Sequence, residues 1–195
     1  MKRMAKIERT TLETNISLEL NIDGDGCGKV CTEIGFFDHM LNLWAKHGGF
    51  DLELYAQGDL CVDSHHTVED VGICLGNAVR QSLGNKEGIA RYGQAFVPMD
   101  EALALAVVDF SGRGHLEMDV NLPAQKVGEF DTELVEEFLR ALAVNGGITL
   151  HIKLFSGRNT HHIIEAIFKA LGRAMRQGVT IDGQVKGVPS TKGLL

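Results

Sequence analysis

The chain has no apolar run near the ~18 residues that a membrane-spanning helix requires, and its opening segment MKRMAKIERTT lacks the apolar stretch of a secretory signal. These absences predict a cytoplasmic protein with no membrane partner. An excess of positive charge is also missing. With 19 Lys and Arg against 26 Asp and Glu, the net charge of -7 argues against a general nucleic-acid surface, which has to neutralise phosphates. An anionic ligand would instead meet local basic residues. Cysteines are few and form no CxxC motif: Cys27, Cys31, Cys61 and Cys74 are expected as buried, reduced thiols. What remains is an ordinary globular composition, 44% apolar and 23% charged over 195 residues, enough for one substantial core or two small halves.

Glycines, not linkers, punctuate the chain. Residues Ile16 to Ile22 alternate apolar and polar, which predicts a half-buried strand, and GDGCG at 24–28 follows as the turn of a hairpin. That glycine spacing is not the GxGxxG of a dinucleotide site, and Asp23 and Asp25 lack the remaining ligands of a calcium loop. Phe37 to Lys46 sets Met40, Leu41, Trp44 and Ala45 at helical spacing before a His-Gly-Gly stop. A strand is predicted over Asp51–Gln57, and a helix over His65–Leu83 with Val68, Val71, Leu75, Ala78 and Val79 along one side. The order then repeats: strand Leu116–Leu122, helix Leu134–Val144 ending at Asn-Gly-Gly, strand Ile148–Phe155, helix Thr160–Gln177. The expected fold is α+β, one compact chain of two duplicated β-β-α-β-α halves, 1–95 and 96–195. A pseudo-twofold relates them, with packing either sheet against sheet or helix against helix.

The duplication carries an unusual cluster. DSHHTVED at 63–70 recurs as NTHHIIEA at 159–166, so His65, His66 and Glu69 align with His161, His162 and Glu165, although the chain has only eight histidines. One such cluster could be a capped, solvated helix start. Polar residues retained together in both copies have no packing reason to persist. Adjacent histidines on a helix point about 100° apart, so they serve two metal ions better than one, with the glutamate joining one of them. Imidazole and carboxylate donors without cysteine suit manganese, iron or zinc and disfavour a structural zinc site. The pattern is also not HExxH, which weakens a metalloprotease reading. His39 and Glu137 occupy matching places in the two copies and are further candidate ligands; His47, whose counterpart is Asn145, stays open between metal and substrate. His115 and His151 read as structural. Among the basic residues, Arg91, Arg113, Arg158, Lys169 and Lys192 sit among glycines or near the cluster, and with Ser190 or Thr191 they could bind a phosphate. Arg113 is the better candidate of the two SGR arginines.

RTTLETNI (9–16), FFDHML (36–41), DSHHTVEDVG (63–72), RYG (91–93), PMDEALA (98–104), DFSGRG (109–114), TELVEEF (132–138), NTHHIIEAIFKALGRA (159–174) and PSTKG (189–193) together resemble the imidazoleglycerol-phosphate dehydratase family across nearly the whole chain. The resemblance implies a duplicated fold like the second domain of ribosomal protein S5, and dehydration of imidazole glycerol phosphate to imidazole acetol phosphate in histidine biosynthesis. It implies two Mn2+ per active site, held by His39, His65, His66, Glu69, His161, His162 and Glu165. An eighth ligand falls at Glu137, where some members have histidine. Phosphate contacts fall on Arg91, Arg113, Lys169, Ser190 and Lys192. Glu13 matches a substrate-contacting acid proposed to move protons, and Glu69 and Glu165 share the catalytic centre; His39, His47, His65 and His161 also face the substrate. A 24-subunit homo-oligomer built from trimers, with sites between subunits, is implied as well.

The reaction removes a proton from a carbon with no adjacent carbonyl, so the substrate's imidazole has to take up the electrons, which metal coordination favours. Two other functions also suit the histidines: a dinuclear metal hydrolase, and a shell in which metals only join subunits. The second leaves Glu13, Arg113 and PSTKG without a role.

Overall fold

The computed structural model describes residues 3–195, so Met1 and Lys2 of the opening segment lie outside the described residues. The first half runs β1 (Met4–Thr10), β2 (Thr14–Asn21), β3 (Gly28–Cys31), α1 (Gly35–Gly48), β4 (Asp51–Gly58) and α2 (His65–Leu83). The second runs β5 (Tyr92–Met99), β6 (Ala102–Asp109), β7 (His115–Asp119), β8 (Lys126–Val127), β9 (Phe130–Asp131), α3 (Leu134–Gly146), β10 (Thr149–Ser156) and α4 (Thr160–Val179). The two main sheets have the same order, β1-β2-β4-β3 and β5-β6-β10-β7. In each, a parallel strand pair, β3 with β4 and β7 with β10, is joined through a helix, as parallel neighbours require. The α+β duplication is therefore present, with one more strand in each main sheet than the expected β-β-α-β-α and the separate β8–β9 pair added in the second half.

Two details of the expected pattern are corrected. GDGCG does not close a hairpin: β2 pairs with β1 and β4, and the chain crosses to place β3 on the far side of β4. Asp51 holds that crossing, accepting the backbone N–H groups of Asp25 and Cys27 at 3.0 and 3.1 Å. The segment near Leu116 is the counterpart of β3, not of the Ile16 strand. That strand's counterpart is β6, as the matching registers Met4↔Asn21 and Tyr92↔Asp109 demonstrate. The first two strands of each half are thus 88 positions apart, whereas the Gly-Gly helix stops are 98 apart. The surplus enters between β7 and α3, where the small β8–β9 pair lies. The junction between halves falls in the connection from α2 to β5, so the 95/96 division cuts strand β5.

Strand alternation sets the core. Ile16, Leu18 and Leu20 of β2 point inward, as do Ala102, Ala104, Ala106 and Val108 of β6. The packing is helix against helix: α2 lies on β1 and β2, α4 lies on β5 and β6, and the layers meet through α2 against α3 and α1 against α4. Both meetings need glycine. A Cβ at Gly172 would stand 2.6 Å from the Trp44 carbonyl oxygen, and one at Gly76 would stand 2.7 Å from that of Leu142. Gly76 and Gly172 are the repeat-matched pair of α2 and α4, so the same close crossing is built twice. Trp44, fully buried, donates its indole N–H to Met175 Sδ at 3.4 Å across one of these contacts.

The cysteines differ from expectation. Cys74 alone is buried, and burial pushes its thiol up to about 11. Cys27 and Cys61 stand in exposed connections and Cys31 on the solvent side of edge strand β3. No described helix is long and apolar enough to cross a membrane.

Candidate metal and substrate site

Each HHxxE begins a helix directly after a strand-to-helix loop. Asp63 Oδ1 accepts the His65 backbone N–H at 2.7 Å. At the second copy Asn159 caps the helix, accepting the N–H groups of His161 and His162 at 3.0 and 3.4 Å. With helix ends held this way, the paired histidines diverge: their ring planes lie at 86° in the first copy and 85° in the second.

One face forms a tight donor group. His39 from α1 and His161 and Glu165 from α4 bring one ligand atom each within 4.8 Å of one another. Nε2 of His161 lies 3.2 Å and Nε2 of His39 3.6 Å from Glu165 Oε2. Glu165 is almost buried, and burial alone would raise its carboxyl. Lys169 Nζ, 2.5 Å from the other oxygen, and His161 outweigh it and hold the group below the usual carboxylate range. Two imidazoles and a charged carboxylate converging from two helices fit a divalent cation of the manganese, iron or zinc type. The β8–β9 segment supports this face. Phe130 of β9 packs on Phe36 and Phe37 at the start of α1, and Phe36 meets the edge of the His161 ring at 5.3 Å.

The repeat-related face is looser. His65 Nε2 and Glu69 Oε2 of α2 are 3.9 Å apart and about half exposed. Glu137 comes from the first turn of α3, the helix packed on α2, as His39 comes from the helix packed on α4. Among the described residues Glu137 has no ion pair with either. His66 and His162 turn away from both groups. Nδ1 of His66 lies 3.1 Å from Asp59, and Nδ1 of His162 lies 2.8 Å from Glu101. Their Nε2 atoms are 3.8 Å from Glu13 and from Asp100 respectively. Asp59 and Glu101 were not picked out from sequence. The 88-residue register of the first strands would have found Glu101, which stands just before β6 as Glu13 stands just before β2.

The basic residues divide. Arg91, Arg113, Ser190 and Lys192 line one open cleft of about 910 Å³ together with Ser111 and Gly112. Asp109 accepts from Arg91 Nε at 2.7 Å and Nη2 at 3.2 Å, and Nη1 donates to the Pro189 carbonyl, which ties the PSTKG tail to this cleft. Lys169 is elsewhere, against Glu165. His47 is elsewhere too, in a groove with Arg173 and Arg176, where burial and the neighbouring Lys169 and Arg173 lower its imidazole. Arg158, His115 and His151 line neither the cleft nor the donor group.

A family model for imidazoleglycerol-phosphate dehydratase matches residues 32–175. The chain belongs to the imidazoleglycerol-phosphate dehydratase family. Membership makes it a hydro-lyase of the dehydration step in histidine biosynthesis. It is 63% identical over 195 residues to the imidazoleglycerol-phosphate dehydratase of Desulforamulus reducens and 58% identical over 195 residues to that of Acetivibrio thermocellus, each match covering 100% of both chains. Among solved structures, the dehydratase of Staphylococcus aureus superposes with a TM-score of 0.83 at 43% identity, covering 91% of this chain and 99% of that one. The Pyrococcus furiosus dehydratase in complex with (S)-C348 gives 0.84 at 41%, covering 97% and 100%. Among the described residues, the donor group and the cationic cleft are two chemically distinct surfaces.

Proposed function

We propose that this chain dehydrates D-erythro-imidazole glycerol phosphate to imidazole acetol phosphate with two manganese ions per site, at sites shared between copies in a cytoplasmic homo-oligomer, a 24-mer of trimers. The observation that carries the reading is the His39, His161 and Glu165 group with its repeat-related partner set around His65 and Glu69. When bound, the metals supply Lewis acidity that lets the substrate's imidazole take up the electron pair released on deprotonation.

The chain's own groups do the rest. A carbon-bound proton and the neighbouring hydroxyl leave as water, and the remaining enol becomes the ketone. Glu13, half exposed and on the His66 side, is the proton-transfer group, while Glu69 and Glu165 complete the centre. Arg91, Arg113, Ser190 and Lys192 hold the phosphate, which fixes the reacting carbons relative to the imidazole. His65, His161, His39 and His47 frame the substrate's ring end, and Lys169, beside Glu165, adds a cation for the phosphate that a neighbouring copy's cleft holds there.

Distance within one chain supports the shared site. The donor group sits at the start of α4, whereas Arg91 donates its backbone N–H to Gly178 near that helix's end. At 1.5 Å per residue, Glu165 and Gly178 are separated by roughly 20 Å along the axis. A phosphorylated glycerol chain is far shorter, so the cleft of one copy serves the donor group of another. In this reading His66 and His162, turned away from their own donor groups, complete those of neighbouring copies.

The test is product formation. Assembled protein loaded with Mn2+ should convert imidazole glycerol phosphate to an enolisable ketone; absence of product under those conditions defeats the proposal. Turnover of phosphate esters or amides instead would favour a dinuclear hydrolase.

A further inference from the structure

The second histidines of the two HHxxE motifs occupy the same place in each half, yet their partners come from different places in the repeat. His162 Nδ1 lies 2.8 Å from Glu101 Oε2, and Glu101 Oε1 accepts the backbone N–H groups of Arg158 and Asn159 at 3.0 and 2.7 Å. One carboxylate therefore fixes both the ring and the loop that starts α4. His66 Nδ1 lies 3.1 and 3.2 Å from the two oxygens of Asp59, and Asp59 itself donates its backbone N–H to the Glu13 carbonyl at 3.1 Å. A carboxylate accepts, so in the neutral imidazole this geometry puts the proton on each Nδ1 and leaves each Nε2 with its lone pair. Among the described residues neither Nε2 makes a hydrogen bond.

The repeat makes the contrast informative. Glu101 and Glu13 are equivalents, each the residue before the second strand of its half. Asp59, the residue after β4, has Gly157 as its equivalent after β10. In the second half the glutamate itself must hold the histidine, because a glycine stands where the aspartate would be. In the first half the aspartate does so, and the glutamate stands off at 3.8 Å from Nε2.

We infer that Asp59 and Glu101 are positioning residues that lock His66 and His162 as Nε2 ligands, and that Asp59, by taking this role, releases Glu13 for proton transfer while its repeat partner Glu101 stays committed to structure. The inference rests on the metal-binding reading above. A carboxylate on the remote nitrogen of a ligating imidazole fixes tautomer and orientation, and its loss commonly weakens metal affinity about 10–100-fold.

The experiment measures Mn2+ affinity of the full-length protein by chelator competition, the absorption spectrum after Co2+ loading, and melting of the metal-free protein, for Asp59→Asn, Glu101→Gln, Glu13→Gln, His66→Ala and His162→Ala. Gln keeps an acceptor for the Arg158 and Asn159 N–H groups, Asn leaves the backbone bond from Asp59 to Glu13 in place, and both remove the charge. Asp59→Asn and Glu101→Gln should each weaken Mn2+ binding about tenfold and shift the Co2+ spectrum, with metal-free melting unchanged. Glu13→Gln should keep wild-type affinity. If Asp59→Asn and Glu101→Gln bind like wild type while His66→Ala and His162→Ala lose metal, the positioning role is overturned and the metal reading stands. Lowered metal-free melting with an unchanged Co2+ spectrum marks a purely structural role and also overturns it. Loss of affinity in Glu13→Gln equal to that in Glu101→Gln overturns the division of labour. Full occupancy in both His→Ala variants overturns the metal reading itself.

Discussion

At the scale of single residues, charge balance is local. The chain is acidic overall, yet Arg91, Arg113 and Lys192 share one cleft because the PSTKG tail folds back and its Pro189 carbonyl takes an Arg91 N–H. Arg91 is already paired bidentately with Asp109, so Arg113, which has no ion pair among the described residues, is the freer of the two arginines for a phosphate. Arg113→Met should raise KM for the phosphorylated substrate by tenfold or more, in line with about 1.5–3 kcal/mol for a hydrogen bond to a charged group, with a smaller change in kcat. Steady-state kinetics check this, and an unchanged KM would remove Arg113 from the phosphate site. Lys169 shows what residue type alone cannot resolve. A lysine suits phosphate, and within one chain its Nζ sits on Glu165, next to the donor group and away from the cleft.

At the scale of elements, helix crossings and strand ends decide which side chains meet. Gly172 lets α4 reach α1, and α1 delivers His39 to the His161 and Glu165 face. Gly172→Ala places a methyl against the Trp44 carbonyl, a backbone atom that cannot step aside, so destabilisation of about 1–3 kcal/mol is expected. Denaturant melts of the metal-free protein read this directly, and Gly76→Ala at the repeat-related crossing should behave alike. A neutral Gly172→Ala would mean that the helices separate freely and that the donor face is not set by this contact. The helices and their glycine stops were legible because amphipathic periodicity and αL caps are local: α2 was predicted with its observed bounds, His65–Leu83, and Gly49 and Gly147 take the left-handed conformation as stops. β1, β5 and β6 were not predicted. Pairing between strands is non-local, and β6, with the small residues Ala102, Ala104 and Ala106 on its inner face, carries a weak hydrophobic signal although it lies in the sheet interior.

At the scale of the whole molecule, the two halves are copies that have diverged where their partners differ. The His39 face is tight, the His65 face open, and His66 and His162 point outward. If outward histidines complete donor groups on neighbouring copies, metal and assembly are linked. Chelation should then reduce metal content and native particle mass together, and re-addition of Mn2+ should restore both; native mass spectrometry with metal analysis checks it. A particle that keeps its mass when stripped of metal would separate the two.

The sequence alone determined what is local or repeated: the helices, the duplicated HHxxE, the candidate ligands and, through nine motifs in order, the family. Adjacent histidines diverge on any helix, so the prospect of two metals was already present in DSHHTVED. Only the tertiary structure decided which carboxylate each outward histidine holds, that Lys169 stands apart from the other phosphate candidates, and that cleft and donor group lie at opposite ends of α4. Those facts depend on loops and helix ends brought together from distant parts of the chain, and Asp59 with His66, or Glu101 with His162, share no periodic signal that would have joined them.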